Sequence, residues 1–208
     1  MAIDKLTTRG SERSPDSTGH GAIVLGRHGE PALSRRVRLT SDGYRRWWGT
    51  YEEVGLLEGQ VAPEGLKAFA RGAYAIFCST RPRSIETARA LAGDKPFVED
   101  PLFVEAPLPP PHFSPFWKFS PRTWGVIARL WWWLFDHHEG QETLAEAKVR
   151  AKAAAKSLDE MAQGGRDILV TAHGFFNGMI GWELKRLGWK LVKDGGFKYW
   201  AARRFEKR

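Results

Sequence analysis

The chain has 208 residues and 10 tryptophans, a length that corresponds to one domain of ordinary size. Its formal net charge of +8 favours anionic partners, which include phosphorylated metabolites, nucleic acid and acidic membrane surfaces. Cys78 is the only cysteine, which excludes an intrachain disulfide and every zinc site that needs several cysteines.

Residues 1–20 are rich in Ser, Thr, Gly, Asp and Arg and show no hydrophobic periodicity. We therefore predict a flexible tail over residues 1–20 and a single domain over residues 21–208. No apolar run reaches the length of a signal peptide core or of a transmembrane helix. We accordingly expect no membrane span and a cytoplasmic location.

Residues 22–25 are apolar and lead directly into Gly-Arg-His-Gly-Glu at positions 26–30. A short apolar run bounded by glycine is typical of a buried strand in a parallel sheet, and ligands bind at the carboxyl end of such strands. Arg27 and His28 are therefore candidate site residues. On this stretch alone, a histidine that only caps the strand is an equally good explanation.

A basic loop over residues 31–38 follows this strand, and it leads into a helix predicted over residues 40–57 with Thr40 or Ser41 as N-cap. A second, short helix is predicted from residue 63. The loop contains several candidate contacts for a substrate phosphate, and a solvated surface loop is the alternative for each of them. These candidates are Ser34, Arg35, Arg36 and Arg38.

Two later stretches repeat the pattern of a buried strand, at residues 74–78 and 167–171. Arg81 and Arg83 follow the first of these, at the start of a helix predicted to end at residue 92. His173 follows the second, before a helix predicted over residues 175–187. Since the carboxyl ends of parallel strands share one edge of the sheet, we expect these side chains to meet His28 there.

The segment from 106 to 138 has an unusual composition of proline and aromatic residues, which excludes an ordinary helix or central strand over 106–123. We treat it as an insertion that ends in an apolar helix over residues 124–135. The other predicted elements are a strand or extended segment over 97–104 that ends at Glu105, a helix over 143–162, and an edge strand over 197–205 whose Arg203 and Arg204 face solvent. The alternation of strands and helices predicts a three-layer α/β/α sandwich with a mostly parallel central sheet.

At three places the chain resembles the histidine phosphatase superfamily, which has the phosphoglycerate-mutase-like fold. The matching pieces are Arg27-His28-Gly29-Glu30, the block Ser79-x-x-x-Arg83-x-x-Glu86-Thr87-Ala88, and His173-Gly174. They occur in the family's order and each follows a predicted strand. The resemblance covers residues 22–105 and 140–187, and it leaves the insertion and both ends less explained.

The resemblance implies a role for each matching residue. His28 corresponds to the nucleophile, which becomes a phosphohistidine before water removes the phosphoryl group. Arg27, Arg83 and His173 correspond to phosphate-binding groups, a role that suits arginine because its fork of donors matches phosphate oxygens. Glu105 lies where the family has its general acid.

Other positions carry weaker expectations. Arg81 stands where the family usually has an apolar residue, so it is either an extra substrate contact or a surface arginine. Asn177 lies one helical turn after His173 and is a candidate for seating that histidine or the substrate. His112 and Glu139 are the next candidates for the general acid, and Glu30 is expected to anchor backbone.

We expect neither a metal nor a cofactor. His137-His138-Glu139 invites a metal interpretation, but adjacent ligands rarely converge on one ion and no His-Glu-x-x-His motif is present.

The leading hypothesis is a metal-independent phosphatase that hydrolyses a phosphomonoester through phospho-His28. Two alternatives stay open: a phosphoglycerate-type mutase, and a non-catalytic basic module that binds nucleic acid or a membrane. The basic cluster that mutases usually place after the general acid is missing after Glu105, which favours the phosphatase over the mutase. No nucleic-acid-binding module is recognisable in the sequence, so we expect no nucleic-acid partner. The aromatic insertion suits a small phosphorylated substrate with an apolar or aromatic part, or else closes the core or a homodimer interface.

Overall fold

The computed structural model describes residues 19–207. The predicted flexible tail therefore lies outside the described residues, except for Gly19 and His20. Those two residues are attached to the domain: the Gly165 N–H donates to the Gly19 carbonyl at 2.8 Å, and His20 forms an isolated β-bridge with Gln163.

The centre of the fold is one six-stranded sheet with the strand order β3-β2-β4-β1-β6-β5. Strands β1, β2, β3 and β4 pair in parallel, whereas β6 runs antiparallel to both β1 and β5, which confirms a mostly parallel sheet. The strands are β1 (Ile23–Arg27), β2 (Ala75–Cys78), β3 (Val98–Glu99), β4 (Ile168–Ala172), β5 (Lys190–Asp194) and β6 (Ala202–Glu206).

Helices cover both faces of this sheet, and a core cluster lies on each face, so the predicted three-layer α/β/α sandwich is confirmed. Helices α5 and α6 pack on one face and α2 and α3 on the other, while α1 and α4 lie against each other beyond the sheet edge. The helices are α1 (Ser41–Glu53), α2 (Glu64–Gly72), α3 (Pro82–Ala92), α4 (Pro121–Phe135), α5 (Leu144–Met161) and α6 (Gly174–Arg186).

Local sequence explains where these helices begin. Thr40 is the N-cap of α1, and its hydroxyl accepts a hydrogen bond from the Gly43 N–H. Thr143 and Glu146 form a capping box at the start of α5. Helix α4 begins three residues earlier than predicted, because Ser120 caps it and Pro121 occupies its first turn.

Two predicted strands need correction. The strand predicted over residues 197–205 is the shorter β6, and it is not an edge strand, because β5 pairs with its other side. Arg203 and Arg204 are consequently only about 15% exposed in their side chains, and Arg203 pairs with Asp194 at 3.0 Å. The extended segment predicted over 97–104 is a two-residue strand followed by a 3-10 helix, Pro101–Phe103.

The aromatic insertion packs through one side of α4. Trp124, Ala128 and Trp132 on this side are fully buried. Both indoles donate hydrogen bonds to backbone carbonyls, Trp124 to Leu39 at 2.7 Å and Trp132 to Glu142 at 3.0 Å. The insertion thus holds α4 over the carboxyl ends of the parallel strands. Over residues 19–207, no helix is both long enough and apolar enough to cross a bilayer.

Candidate active site

The carboxyl ends of three neighbouring parallel strands bring the predicted site residues together. His28 follows β1, Ser79 follows β2 and His173 follows β4, which lies between them. The imidazole rings of His28 and His173 are 5.3 Å apart, centroid to centroid. The side chains of both histidines are buried.

His28 is a neutral imidazole, and its Nε2 has no hydrogen-bond partner among residues 19–207. Its Nδ1 lies 2.7 Å from the Gly29 carbonyl oxygen, which can only accept, so Nδ1 carries the proton and Nε2 keeps its lone pair. Burial lowers the pKa of His28 well below its ordinary value, and the charges of Arg83 and Arg27 lower it further. The Nε2 lone pair is therefore available for bonding at neutral pH.

Arg83 is the fully buried cation of the site. Its Nη1 donates to the Tyr51 carbonyl at 2.7 Å, and its Nη2 pairs with Glu52 Oε1 at 2.8 Å. The guanidinium also stacks 4.4 Å from the Tyr51 ring centre. Arg83 lies on the first turn of α3, and its contacts with Tyr51 and Glu52 fix the direction of the guanidinium plane.

His173 is neutral with the opposite tautomer to His28. Arg83 Nη2 lies 3.4 Å from its Nδ1, and a guanidinium can only donate, so Nδ1 accepts and Nε2 carries the proton. That Nε2 lies 2.8 Å from the Ser79 hydroxyl oxygen. Burial, followed by the charge of Arg83, lowers the pKa of His173 well below its ordinary value.

Arg27 and Arg35 form a second cationic side of the site around one tyrosine. Their guanidinium carbons lie 4.5 and 5.4 Å from the Tyr199 ring centre, and Arg27 also donates to the Phe197 carbonyl. Burial raises the pKa of Tyr199 to about 12, so this ring stays a neutral phenol. The Tyr199 ring in turn lies 5.7 Å from that of His28.

Three of these arginines have an unused donor. The Nε atoms of Arg27, Arg35 and Arg83 are buried and have no hydrogen-bond partner within residues 19–207. Buried donors are nearly always paired in folded proteins, so three orphans beside one cavity indicate a site for an anion with several oxygens.

Glu105 reaches the same cavity from the start of the insertion. Its Oε1 accepts from the backbone N–H groups of Ala106 and Phe176 at 3.1 and 3.0 Å, while its Oε2 accepts only one longer bond, 3.3 Å from Phe175. The carboxyl group thus caps α6, and Arg129 Nη2 lies 4.0 Å from Oε1. Oε2 is therefore the oxygen with the weaker hydrogen bond.

These groups surround a cavity of about 380 Å³. Its polar end holds Arg27, His28, Arg35, Arg83, Glu105 and His173. Its other walls are mainly aromatic or apolar, and they come from α1, α4, the first turn of α6 and the turn before β6. Arg122 and Arg129 of α4 are the cations in these walls. These wall residues include Tyr44, Trp47, Trp48, Tyr51, Val126, Leu130, Phe175 and Phe197.

Three of the weaker candidates lie beside this cavity without lining it. Ser34 is exposed and accepts a hydrogen bond from the Arg36 N–H. Asn177 is buried and donates to the Gly26 carbonyl at 2.9 Å, near the end of β1 and two residues before His28. Arg81 pairs with Glu52 at 2.6 Å and lines an adjacent cavity of about 460 Å³.

The remaining candidates are further from the histidines. Glu139 contacts Arg45 at 2.6 Å and lies 3.6 Å from His112, and neither Glu139 nor His112 is among the described residues that line the His28 cavity. Glu30 has an exposed side chain, and its backbone is instead held by the Gln60 amide. In the described part of the chain, no group of three or more His, Cys, Asp or Glu side chains is arranged to hold a metal ion.

Sequence reasoning missed the groups that orient the arginines. Glu52 binds both Arg81 and Arg83, yet it lies on α1, where it looks like any polar helix residue. Thr87 accepts from the Gly29 N–H at 2.9 Å and donates to the Arg83 carbonyl at 2.6 Å. The sequence did mark Thr87, because it belongs to the block from Ser79 to Ala88 that matches the family, but the sequence analysis gave it no role.

Fold and site together define an α/β protein of the phosphoglycerate-mutase-like fold. Its candidate site has two neutral histidines, which line one cavity together with Arg27, Arg35 and Arg83. A family model for the histidine phosphatase superfamily (branch 1) matches residues 23–199. The chain belongs to this superfamily. No curated protein sequence matches it.

Solved structures with a similar fold include several phosphatases. A mutant phosphoserine phosphatase from Entamoeba histolytica, in complex with phosphoserine, gives a TM-score of 0.55 at 15% identity, with 90% of this chain and 91% of that chain covered. The ecdysone phosphate phosphatase of Bombyx mori, in complex with tungstate, gives 0.54 at 13% identity, with 88% of each chain covered. A mycobacterial glucosyl-3-phosphoglycerate phosphatase gives 0.53 at 17% identity, with coverage of 88% and 89%. At these identities the likeness concerns the fold.

Proposed function

We propose that the protein is a phosphatase that hydrolyses a phosphomonoester through a phosphohistidine on His28, without a metal ion or cofactor. The observation that carries the proposal is the neutral His28 beside three buried arginine Nε donors that have no partner within the described residues. A phosphomonoester has an electrophilic phosphorus that His28 can attack, and its phosphate oxygens can accept hydrogen bonds from the arginine Nε–H groups.

The proposed reaction has two steps. Nε2 of His28 attacks phosphorus, the bond from phosphorus to the ester oxygen breaks, and the leaving oxygen takes a proton from Oε2 of Glu105. The oxygen of a water molecule then attacks phosphorus and gives a proton to Glu105. The bond from phosphorus to Nε2 breaks, its electron pair returns to Nε2 of His28, and inorganic phosphate leaves. Arg27, Arg35 and Arg83 offset the charge on the transferring oxygens in both steps.

His173 contributes a neutral donor in this scheme. Its Nε2 proton points to Ser79 in the structure, so binding of the phosphoryl group requires either a turn of the ring or a relay through the Ser79 hydroxyl. We assign it to phosphate binding, as the resemblance implies. Asn177 is assigned to holding the end of β1 rather than to the substrate, on its hydrogen bond to the Gly26 carbonyl.

The cavity walls favour a phosphatase over a mutase. A mutase that moves phosphate within a small acid must also bind a second anionic group. The walls contributed by α1 and α4 are mainly aromatic or apolar, with Arg122 and Arg129 as their cations, and Arg129 already faces Glu105 and the Phe175 ring. We therefore propose a small phosphorylated substrate with an apolar or aromatic part. We propose a cytoplasmic location.

Phosphate release by the purified, EDTA-treated protein tests this function, with p-nitrophenyl phosphate and a panel of alkyl and aryl phosphates between pH 5 and 8. His28→Ala should abolish turnover and the phosphoryl label on the protein. His20→Ala is the matched control, because His20 precedes β1 at the opposite end of the strand. Absence of any hydrolysis, or turnover by His28→Ala, would overturn the proposal, and an isomer in place of inorganic phosphate would identify a mutase.

A further inference from the structure

The outward side of α4 is apolar and exposed. Single exposed apolar side chains are ordinary, but a contiguous set on successive turns of one helix marks an interaction surface. Here Trp133 and Leu134 are each 62% exposed. The α4 face, as we call it, consists of Val126, Leu130, Trp133, Leu134 and Phe135.

The loop before α4 extends this face. Phe116 is 95% exposed and Trp117 is 58% exposed. Paired hydrogen bonds between Leu39 and Phe119, at 2.8 and 2.9 Å, hold the loop against the basic segment that ends at residue 38.

The charges at the border of the face are mainly positive. Lys118 and Arg122 are exposed, whereas Arg129 is turned inward towards Glu105 and the Phe175 ring. Residues 106–135 contain no Asp or Glu, and the exposed Asp136, the C-cap of α4, is the one acidic residue that directly follows the face. Arg38 lies next to this segment, because it donates to the Lys118 carbonyl at 2.9 Å, and its side chain is exposed. An apolar face with a cationic border is complementary to an apolar layer that lies beneath anionic groups.

The face is continuous with the mouth of the catalytic cavity. Val126 and Leu130 belong both to the α4 face and to the cavity wall, and the exposed Arg122 lines the same wall. A molecule that enters the cavity from this side therefore passes between apolar side chains before it reaches His28.

We propose that the α4 face binds the surface of an anionic membrane. Helix α4 has 15 residues and one buried side, so it lies in the interfacial plane and does not cross the bilayer. Tryptophan suits this depth because its ring is apolar and its N–H is polar. A second copy of the chain fits less well, because a symmetric dimer through this face would bring the like charges of both borders together.

Binding of the α4 face to a membrane also implies a class of substrate, and this second inference rests on the proposed phosphatase function. The substrate is a phosphomonoester whose apolar chain lies in the leaflet. Its phosphate reaches His28 while the chain stays in contact with Val126 and Leu130.

Sedimentation with vesicles tests the docking without any need for activity. Wild type and His28→Ala should bind vesicles of phosphatidylcholine with one third phosphatidylglycerol at least about tenfold better than vesicles of phosphatidylcholine alone, and added salt should weaken this binding. The double variant Trp133→Ser and Leu134→Ser should lose about tenfold or more of the binding. The matched control is Trp182→Ser with Val149→Ser, which removes an equally exposed Trp and an exposed aliphatic residue from α6 and α5.

Three results would overturn the docking: no binding to either vesicle, equal losses in the two double variants, or a wild-type dimer in light scattering that the α4 double variant converts to a monomer. The last result would assign the face to a second copy.

Hydrolysis of phosphatidic acid in vesicles tests the substrate class, with p-nitrophenyl phosphate as the soluble comparison. The α4 double variant should lose about tenfold or more on phosphatidic acid and keep its rate on the soluble ester. Hydrolysis of the soluble ester alone would refute the substrate class and leave the docking to the sedimentation result. Hydrolysis of neither ester would refute the phosphatase function itself.

Discussion

Glu52→Gln should destabilise the protein because it removes the only carboxylate that contacts Arg83 in the described chain. Arg83 is fully buried, and its Nη2 lies 2.8 Å from Glu52 Oε1. A hydrogen bond to a charged group contributes about 1.5–3 kcal/mol, and removal of one partner from a buried ion pair costs about 3–5 kcal/mol. Gln keeps an acceptor at this position, so we expect a loss of about 2 kcal/mol.

Thermal unfolding measures this loss. For a chain of this size, 1 kcal/mol corresponds to roughly 2–4 °C, so Tm should fall by about 4–8 °C. Glu53→Gln is the matched control, because its neighbour Glu53 is exposed and a surface substitution stays within about 0.5 kcal/mol.

Inorganic phosphate provides an internal check on the cause. A bound dianion supplies a negative charge near Arg83, so phosphate should raise Tm more in Glu52→Gln than in the wild type. The reasoning is refuted if Glu52→Gln unfolds at the same temperature as Glu53→Gln, or if phosphate stabilises wild type and variant equally.

Three other changes test the site. The pKa values of His28 and His173 are lowered in the folded state, so only the unfolded chain takes up protons at these residues as the pH falls below about 6.5. The free energy of unfolding should then drop by up to about 1.4 kcal/mol per pH unit for each histidine. His28→Gln should therefore flatten the dependence of Tm on pH. Glu105→Gln should slow alkyl phosphates by about 10²–10⁴-fold and p-nitrophenyl phosphate far less, because p-nitrophenolate leaves without a proton; a uniform loss or no loss in initial rates would move the acid elsewhere. Gly29→Ala would place its Cβ 2.5 Å from the Trp200 ring, so it should cost about 1–3 kcal/mol in denaturant unfolding and lower kcat, and an unchanged midpoint would show that Trp200 moves freely.

The parts of the site that follow parallel strands were predictable from the sequence. Apolar runs identified β1, β2 and β4, and the chemistry-bearing residues His28, Arg83 and His173 come directly after them. Parallel strands share one carboxyl edge, so the chain order alone indicated which side chains meet. The fold class followed from the same alternation of strands and helices.

The parts that depend on side-chain direction were not predictable. Strand β5 escaped prediction because neither of its faces is fully buried, so Lys190–Asp194 has no apolar run to mark it. Arg35 is indistinguishable in sequence from its exposed neighbour Arg36, and only the position of Tyr51 and Tyr199 turns it into the cavity. Glu105 was named as a candidate from its position, but its capping of α6 depends on contacts with residues about 70 positions away, which the sequence does not indicate.

The order of the strands also affects how the protein is made. His28, the proposed nucleophile, directly follows strand β1. The Ala22 N–H nevertheless donates to Asp167 across 145 positions, and Arg27 donates to the Phe197 carbonyl across 170. A ribosome releases the amino end first, so His28 leaves it long before β4 and β6, the two strands between which β1 pairs. Until both arrive, the nascent chain exposes an apolar strand with two open edges, and closure over such separations is slow. A translation product that stops before β6 therefore contains every histidine and arginine proposed to act in catalysis, but it lacks a strand that holds β1 in place.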